Sequence, residues 1–322
     1  MRAGFIGTYG NRWANIALGN ADLLIVIGSR LDIRQTGADV QGFRQDKIIF
    51  HIDCDQHEIN NRVKNCVAIV ADAKEFLLEA NTQLAHHNFS SHAAWYEEIQ
   101  IQKNKWPDIN ELKNFPGINP NVFMHALSKT TQNSAAYVAD VGNHQMWAAQ
   151  SLELQIKQLF MTSGGMGAMG FALPAAIGAS LASGKKPVVV IVGDGAMQFN
   201  IQELQTIIRN HLPIKIIVIN NNCLGMIRQF QDSYFEGRYQ STYWGYSAPD
   251  FSAIAEAYGL PAKTISDSNE IEDAMHWLDQ TDGPLLLQVM ISHLMNVYPK
   301  IAFGKPITEM EPMAAPIEME ST

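Results

Sequence analysis

The chain has 322 residues, 47% hydrophobic and 17% charged, which is typical of a compact globular protein large enough for two domains. Its formal net charge of −9, without any run of Lys or Arg, argues against nucleic acid or an anionic membrane surface as a partner. No apolar run approaches the roughly 18 residues of a membrane span, and no signal-peptide core is visible, so a cytoplasmic location is predicted. Cys54, Cys66 and Cys223 stand at spacings that fit neither a disulfide framework nor a zinc site.

Short apolar runs alternate with helical patterns over residues 1–85. A helix is predicted over residues 11–20, buried strands over 22–28, 47–53 and 66–70, and a helix over 72–84. Strands alternating with helices predict a parallel sheet. Three strands make a thin sheet, so residues 1–85 are predicted to form a partial, Rossmann-like domain.

Residues 86–118 mix polar residues, histidines and prolines around one amphipathic helix, which predicts a linker between domains. His86, His87 and His92 have no Cys or carboxylate at ligand spacing, which favours surface histidines over a metal site.

Residues 119–298 repeat the alternation at greater length. A helix (122–129) and a strand (135–140) precede a glycine-rich turn, and two strands (188–192 and 214–219) enclose a helical pattern of about four turns. Further helices are predicted over 249–258 and 269–279, and strands over 262–265 and 284–290. The fold class is therefore α/β, with a doubly wound parallel sheet. Residues 299–322 form a proline-punctuated tail that is predicted to wrap the surface or cover a site.

Polar groups follow two of these strands directly. The sequence GDG (193–195) ends one strand and NNN (220–222) ends the next. The carboxyl edge of an open α/β sheet is where ligands bind. Asp194 and Asn221 offer oxygen ligands to Mg²⁺, and the glycines let backbone N–H groups approach phosphate oxygens. A tight turn is the alternative for GDG alone.

Four segments together resemble the acetohydroxyacid (acetolactate) synthase branch of the thiamine diphosphate enzymes. They are DVGNHQMWAAQ (140–150), TSGGMGAMGFALPAAIGA (162–179), GDGAMQFNIQEL (193–204) and NNNCLGMIRQFQ (220–231). The resemblance implies condensation of 2-oxo acids with pyruvate as donor, in branched-chain amino acid biosynthesis. Two alternatives stay open: a non-catalytic partner of a full-length homologue that binds the cofactor, and a thiamine-dependent 2-oxo acid decarboxylase.

The resemblance also implies roles for individual residues. Asp194 and Asn221 would bind Mg²⁺ through their side chains, and Cys223 through its carbonyl. Asn143, His144 and Gln145 stand where the family has a QHQ run at the diphosphate, and His144 could instead belong to a helix cap without a ligand. Gly167 matches the carbonyl that accepts from the 4′-amino group, and Met169 the residue that keeps the cofactor bent. The positions matched to cofactor binding are Asn143, His144, Gln145, Gly167, Met169, Gly193, Asp194, Gly195, Ala196, Asn221, Cys223, Gly225 and Met226.

Three further expectations concern what surrounds this site. Met166 is expected to fill the core. Phe230 stands where the family commonly has Trp, which puts the associated preference for 2-oxobutyrate in doubt. The activating glutamate of the family lies in a pyrimidine-binding domain that nothing in this sequence matches, and Glu203 belongs to the diphosphate half. The chain is therefore expected to be a fragment or a split subunit without a catalytic residue of its own, completed by that domain from another chain or from a missing N-terminal part.

The resemblance leaves two points open. Gly28, Ser29 and Arg30 fall in the segment where acetohydroxyacid synthases hold FAD, although many relatives bind no flavin. A homo-oligomer is expected, because the family builds its active site between subunits and an isolated diphosphate domain would expose an apolar face.

Overall fold

A computed structural model describes residues 3–312, which form two compact units. The first unit comprises residues 3–111 together with 298–312, and the second comprises Leu112–Val297. Residues 86–111, predicted as linker, lie within the first unit, as does the described part of the predicted tail. Residues 313–322 of that tail lie outside the described residues.

The strands are β1 (Leu23–Ile27), β2 (Ile48–Asp53), β3 (Val67–Val70), β4 (Ala136–Ala139), β5 (Leu159–Thr162), β6 (Val188–Gly193), β7 (Ile214–Asn220), β8 (Ala262–Ile265), β9 (Leu285–Met290), β10 (Lys300–Ile301) and β11 (Met310–Glu311). The helices are α1 (Arg12–Asn20), α2 (Ile33–Thr36), α3 (Val40–Arg44), α4 (Ala73–Leu84), α5 (Ala93–Lys105), α6 (Pro120–Thr130), α7 (Asn143–Ser151), α8 (Ala172–Ala182), α9 (Asp194–Met197), α10 (Glu203–Arg209), α11 (Gly225–Tyr234), α12 (Phe251–Ala257) and α13 (Ile271–Gln280).

The first unit contains a three-stranded parallel sheet in the order β1-β2-β3, as predicted. One face packs on a small core, which contains Ile49 together with Ile301 and Met310 from the later part of the first unit. The other face leaves Ile25 58% and Ile48 60% exposed. The prediction of buried strands is therefore wrong for this face, because an apolar run reports what a strand can bury and not whether anything covers it.

The second unit contains a six-stranded parallel sheet in the order β5-β4-β6-β7-β9-β8. Every residue of β4, β6 and β7 is buried, and for β6 and β7 the continuous β-branched runs predict this. Gly193 pairs with Ile219, so the polar groups after β6 and β7 emerge at the same edge of the sheet. The chain leaves β4 toward β5 and returns to β6 on the other side of β4, which makes the gap between β4 and β6 a topological switch point.

The segment between β6 and β7 differs from its prediction. The pattern of about four turns forms two short helices, α9 and α10, with a break around Asn200. The Asn200 side chain donates to the Gly170 carbonyl at 2.7 Å, a side-chain bond to a backbone group of the kind that competes with helix continuation. Helices α7, α8 and α11 and strand β5 were not predicted.

Two of these elements carry only weak signals in the sequence. In α8, ALPAAIGASLA, almost every position is apolar or small, so no helical face stands out. In α7 the buried positions include Asn143, His144 and Gln145, which a hydrophobicity pattern does not count.

Among the helices within residues 3–312, none combines the length and the apolar character needed to cross a bilayer.

Candidate functional site

A cavity of about 260 Å³ lies within the second unit, at the carboxyl ends of β4, β6 and β7. Its lining includes twelve of the thirteen residues predicted to bind a cofactor. They are Asn143, His144, Gly167, Met169, Gly193, Asp194, Gly195, Ala196, Asn221, Cys223, Gly225 and Met226. The cavity is smaller than the roughly 300–1,000 Å³ of pockets for drug-sized ligands, so this unit by itself encloses only part of a large cofactor.

Two glycines make room for the imidazole of His144 against the ends of the strands. A Cβ atom on Gly193 would lie 2.9 Å from the imidazole Cε1, and one on Gly142 would lie 2.7 Å from the same atom. These distances are below ordinary carbon contacts. The glycines at these two positions are therefore explained by the close approach of His144.

Burial keeps His144 neutral. Its side chain is 5% exposed, and burial lowers the pKa of the imidazole from 6.5 to about 3. Nε2 has no hydrogen-bond partner among the described residues. Oδ1 of the neighbouring Asn143 is also buried without a partner in that part of the chain, while Nδ2 of Asn143 donates to the Met295 carbonyl at 3.5 Å. Two buried polar atoms on adjacent residues thus line the cavity without partners, although such atoms are normally paired.

Asp194 begins α9 directly after β6 and is 3% exposed. Burial raises the pKa of its carboxyl to about 6, although the backbone N–H of Gly195 and other donors act in the opposite direction. Oδ2 has no hydrogen-bond partner within the described residues. A buried carboxylate in this state is stabilised by a cation, because burying an uncompensated charge is costly.

Asn220, the last residue of β7, and Asn221, which follows it, make different contacts. Asn220 donates to Oε1 of Gln288 at 3.3 Å and belongs to the sheet, whereas Asn221 lines the cavity. Oδ1 of Asn221 accepts from the N–H of Cys223 at 3.2 Å, which closes a tight turn in the loop. A Cβ on Gly225 would lie 2.6 Å from Nδ2 of Asn221, so this glycine allows the close packing of the loop.

The glycine-rich segment before α8 supplies another wall of the cavity. Gly167 has φ +69, a conformation that favours glycine, and its N–H donates to the Ser163 carbonyl at 2.9 Å. Met169 lines the cavity, and its Cε would lie 3.3 Å from a Cβ on Gly195. Met166 is 88% exposed, so the prediction that it fills the core is wrong.

Gln145 is the predicted cofactor residue that does not line the cavity. Its Nε2 donates to Oγ1 of Thr162 at 2.6 Å, at the end of β5. On a helix, successive residues point in different directions, so Gln145 cannot share the orientation of both Asn143 and His144. Its predicted contact with the diphosphate has no support from this arrangement.

Sequence reasoning missed Asp140, the first residue after β4. Its buried carboxylate accepts from the N–H of Gly170 at 2.9 Å and from that of Ala172 at 2.7 Å. Burial raises the pKa of this carboxyl. Asp140 thereby fastens the glycine-rich segment to the sheet edge and caps the start of α8. An Asp at the end of an apolar strand was the available signal.

The structure describes no cluster of three or more His, Cys, Asp or Glu suited to a metal ion within residues 3–312. The predicted metal ligands are of another kind: one carboxylate, one amide oxygen and one backbone carbonyl. Asp194, Asn221 and Cys223 all line the same cavity. Oxygen ligands of this type suit Mg²⁺, which keeps few protein ligands and completes its shell with phosphate and water.

Comparison with known proteins shows the family to which the chain belongs. Residues 140–289 match the thiamine pyrophosphate enzyme C-terminal TPP binding domain, and residues 1–80 match the central domain of the same enzymes. The chain belongs to the thiamine pyrophosphate (thiamine diphosphate) enzyme family. Its α/β architecture with parallel sheets agrees with both domains.

Within that family, the chain is similar to acetolactate synthases. It is 38% identical over 318 residues to the acetolactate synthase large subunit of Pyropia yezoensis, covering 97% of this chain and 53% of the relative. It is 37% identical over 317 residues to acetolactate synthase 2, chloroplastic, of Nicotiana tabacum, with 94% and 47% covered. Against the acetolactate synthase isozyme 2 large subunit of Escherichia coli (strain K12) it is 36% identical over 307 residues, with 95% and 54% covered. The chain spans about half the length of these relatives.

Proposed function

We propose that the second unit holds the diphosphate end of thiamine diphosphate through Mg²⁺, and that the completed enzyme condenses 2-oxo acids with pyruvate as donor. The observation that carries the first part is the set of unpaired buried polar atoms around one cavity: Oδ2 of Asp194, Oδ1 of Asn143 and Nε2 of His144. The two oxygens are acceptors that a cation or its bound water would pair, and a water bound at the diphosphate would pair Nε2 of His144.

The residues present fit this cofactor. Asp194 and Asn221 would bind the cation by side chain and Cys223 by its carbonyl, while neutral His144 and Asn143 would lie next to the diphosphate. Gly193 and Gly195 line the cavity without a Cβ, which allows a phosphate to approach the backbone closely. The carbonyl of Gly167 and the side chain of Met169 would orient the rest of the cofactor.

When bound, thiamine diphosphate supplies the electron sink for cleavage and formation of carbon–carbon bonds next to a carbonyl group. The chain's own contribution is binding, orientation and exclusion of water. Met169 and Leu224 give the cavity apolar walls. Such walls strengthen the contacts of Asp194 and His144 with charged groups.

The proton relay of the family would come from outside this cavity. Among the lining residues that the structure describes, Asp194 is the only acidic one, and the cation would engage it. We therefore propose that a pyrimidine-binding domain supplies the activating glutamate, from another chain or from a further part of the same protein. Condensation is favoured over decarboxylation alone because the relatives cited above are named acetolactate synthases. FAD at Gly28, Ser29 and Arg30, a homo-oligomer and a cytoplasmic location stay predictions.

Calorimetry with thiamine diphosphate, with and without Mg²⁺, tests the binding site. The wild type is expected to bind with a requirement for Mg²⁺, and Asp194→Ala is expected to weaken binding by at least about 100-fold, since leaving a buried site without its charge partner costs several kcal/mol. Asp273→Ala on α13, an exposed position, is the matched control and should bind like the wild type. Equal affinities for the wild type and Asp194→Ala would refute the site.

A second measurement tests the split of the active site. The purified chain alone is expected not to consume pyruvate, even with saturating cofactor. Pyruvate consumption by the chain without any added partner would show that the activating group lies within it.

A further inference from the structure

Tyr246 brings a second polar group to Asp194 from a distant part of the chain. Its hydroxyl is buried without a hydrogen-bond partner among the described residues, and the Asp194 carboxylate lies nearby. It would lie 3.4 Å from a Cβ on Gly195, which places it next to the first turn of α9. Two buried orphan atoms, this hydroxyl and Oδ2 of Asp194, therefore stand on neighbouring residues.

We propose that Tyr246 is a positioning residue for the metal ligand Asp194, and that its hydroxyl donates a hydrogen bond that fixes the carboxylate in its metal-binding orientation. This inference rests on the proposed function, because it gives Asp194 the role of metal ligand. It adds a residue that the predicted site did not include.

The direction of the hydrogen bond follows from the neighbours of the hydroxyl. A phenol is protonated near neutral pH and a carboxylate only accepts, so the proton of this bond comes from Tyr246. The side-chain amide of Gln198 is a donor near the hydroxyl, and the phenolic oxygen is the acceptor that faces such a donor. Nε2 of Gln198 also donates to the Asp194 carbonyl at 3.3 Å.

The backbone holds Tyr246 in place through the same loop that carries the other proposed ligands. The N–H of Leu224 donates to the Thr242 carbonyl at 2.9 Å, and the N–H of Tyr246 donates to the Tyr243 carbonyl at 3.3 Å. Thr242 is itself 4% exposed, so the segment is well anchored. A shift of the loop at residues 221–224 would therefore displace Tyr246 as well.

The expected consequence concerns the cation rather than the fold. Groups that hydrogen-bond to a metal ligand orient it, and their loss typically reduces metal affinity by 10–100-fold. Tyr246→Phe removes only the hydroxyl and keeps the ring, so the stability of the unliganded protein should change little. Gln198→Leu, which removes the supporting amide, is expected to give a smaller loss of the same kind.

The test is calorimetry of the full chain with thiamine diphosphate at a series of Mg²⁺ concentrations. Tyr246→Phe is expected to raise the Mg²⁺ concentration needed for half-maximal binding by about 10-fold or more. Tyr243→Phe is the matched control, because its ring stacks on His293 at 4.4 Å and its substitution also removes one hydroxyl. The Tm of each unliganded variant should match that of the wild type.

The outcomes separate this inference from the proposed function. If the wild type and Asp194→Ala bind equally, the proposed function fails. If Asp194→Ala loses binding while Tyr246→Phe keeps the wild-type Mg²⁺ requirement, the site stands and the role of Tyr246 is refuted. A loss in Tyr246→Phe that is independent of Mg²⁺ also refutes it, because a role through the metal ligand must appear as a changed need for the cation.

Discussion

The two parallel sheets of this chain are built from similar apolar runs but are covered very differently. In β6 and β7 every residue is buried, whereas β1 and β3 contain no fully buried residue and α4 buries none. Parallel sheets are normally covered on both faces. Only the second unit meets that condition within the described residues, and it is the unit whose strand ends form the cavity. A fully packed sheet can hold the ends of β4, β6 and β7 in fixed positions, and the proposed site depends on those positions.

Matched substitutions in the two sheets should show the largest contrast. Ile217 on β7 is 0% exposed and Ile25 on β1 is 58% exposed. Ile217→Ala is expected to lower the free energy of unfolding by about 3 kcal/mol, because it leaves a cavity in the core. Ile25→Ala is expected to cost less than about 1 kcal/mol, since the side chain already contacts solvent.

Denaturant unfolding followed by circular dichroism measures this difference. The two units need not unfold together, so each variant is compared with the wild type in the transition of its own unit. Losses of equal size would show that the exposed face of the first sheet is covered in solution, and would remove the contrast between the sheets.

Two glycines of the second unit allow a similar comparison, one at the cavity and one away from it. Gly193→Ala places a Cβ against the imidazole of His144 and is expected to destabilise the second unit by about 1–3 kcal/mol and to weaken cofactor binding. Gly184 is the control: it has φ +74 and open space around its Cβ position, so Gly184→Ala is expected to cost about 1 kcal/mol through the backbone alone. Unchanged cofactor affinity in Gly193→Ala would contradict a role of the close contact between Gly193 and His144 in cofactor binding.

The buried imidazole adds a pH dependence to the second unit. The pKa of His144 falls to about 3 on folding, so below pH 6.5 the unfolded chain takes up a proton that the folded chain does not. Stability is therefore lost as the pH falls through that range, by up to about 1.4 kcal/mol per pH unit from this group.

The variant His144→Asn isolates this contribution. The difference in unfolding free energy between the wild type and His144→Asn should change with that slope between pH 6.5 and 4.5, because contributions common to both proteins cancel. A difference that is constant with pH would show that His144 is not buried in its neutral form.

The sequence predicted the parts of the fold that depend on local patterns. Continuous β-branched runs located β6 and β7, and the polar residues after them located the cavity, because strand ends in a parallel sheet share one edge. Resemblance to a family then identified Asn143, His144, Gly167 and Met169, and all four line that cavity.

The parts of the fold and of the site that the sequence did not predict depend on contacts between distant residues. Packing that no local pattern encodes decides three of these features. They are the exposure of β1, the break at Asn200, and the direction of Gln145 toward Thr162. Tyr246 lies more than fifty residues from Asp194, and only the folded chain brings the two together.

The most direct test of the central claim is the position of the cation. Crystals of the chain grown with thiamine diphosphate and Mn²⁺ in place of Mg²⁺ would show the metal by its anomalous scattering. If the proposed site is correct, one strong peak lies within coordination distance of the Asp194 carboxylate, the Asn221 amide oxygen and the Cys223 carbonyl. A bound cofactor whose metal peak lies away from Asp194 would contradict it.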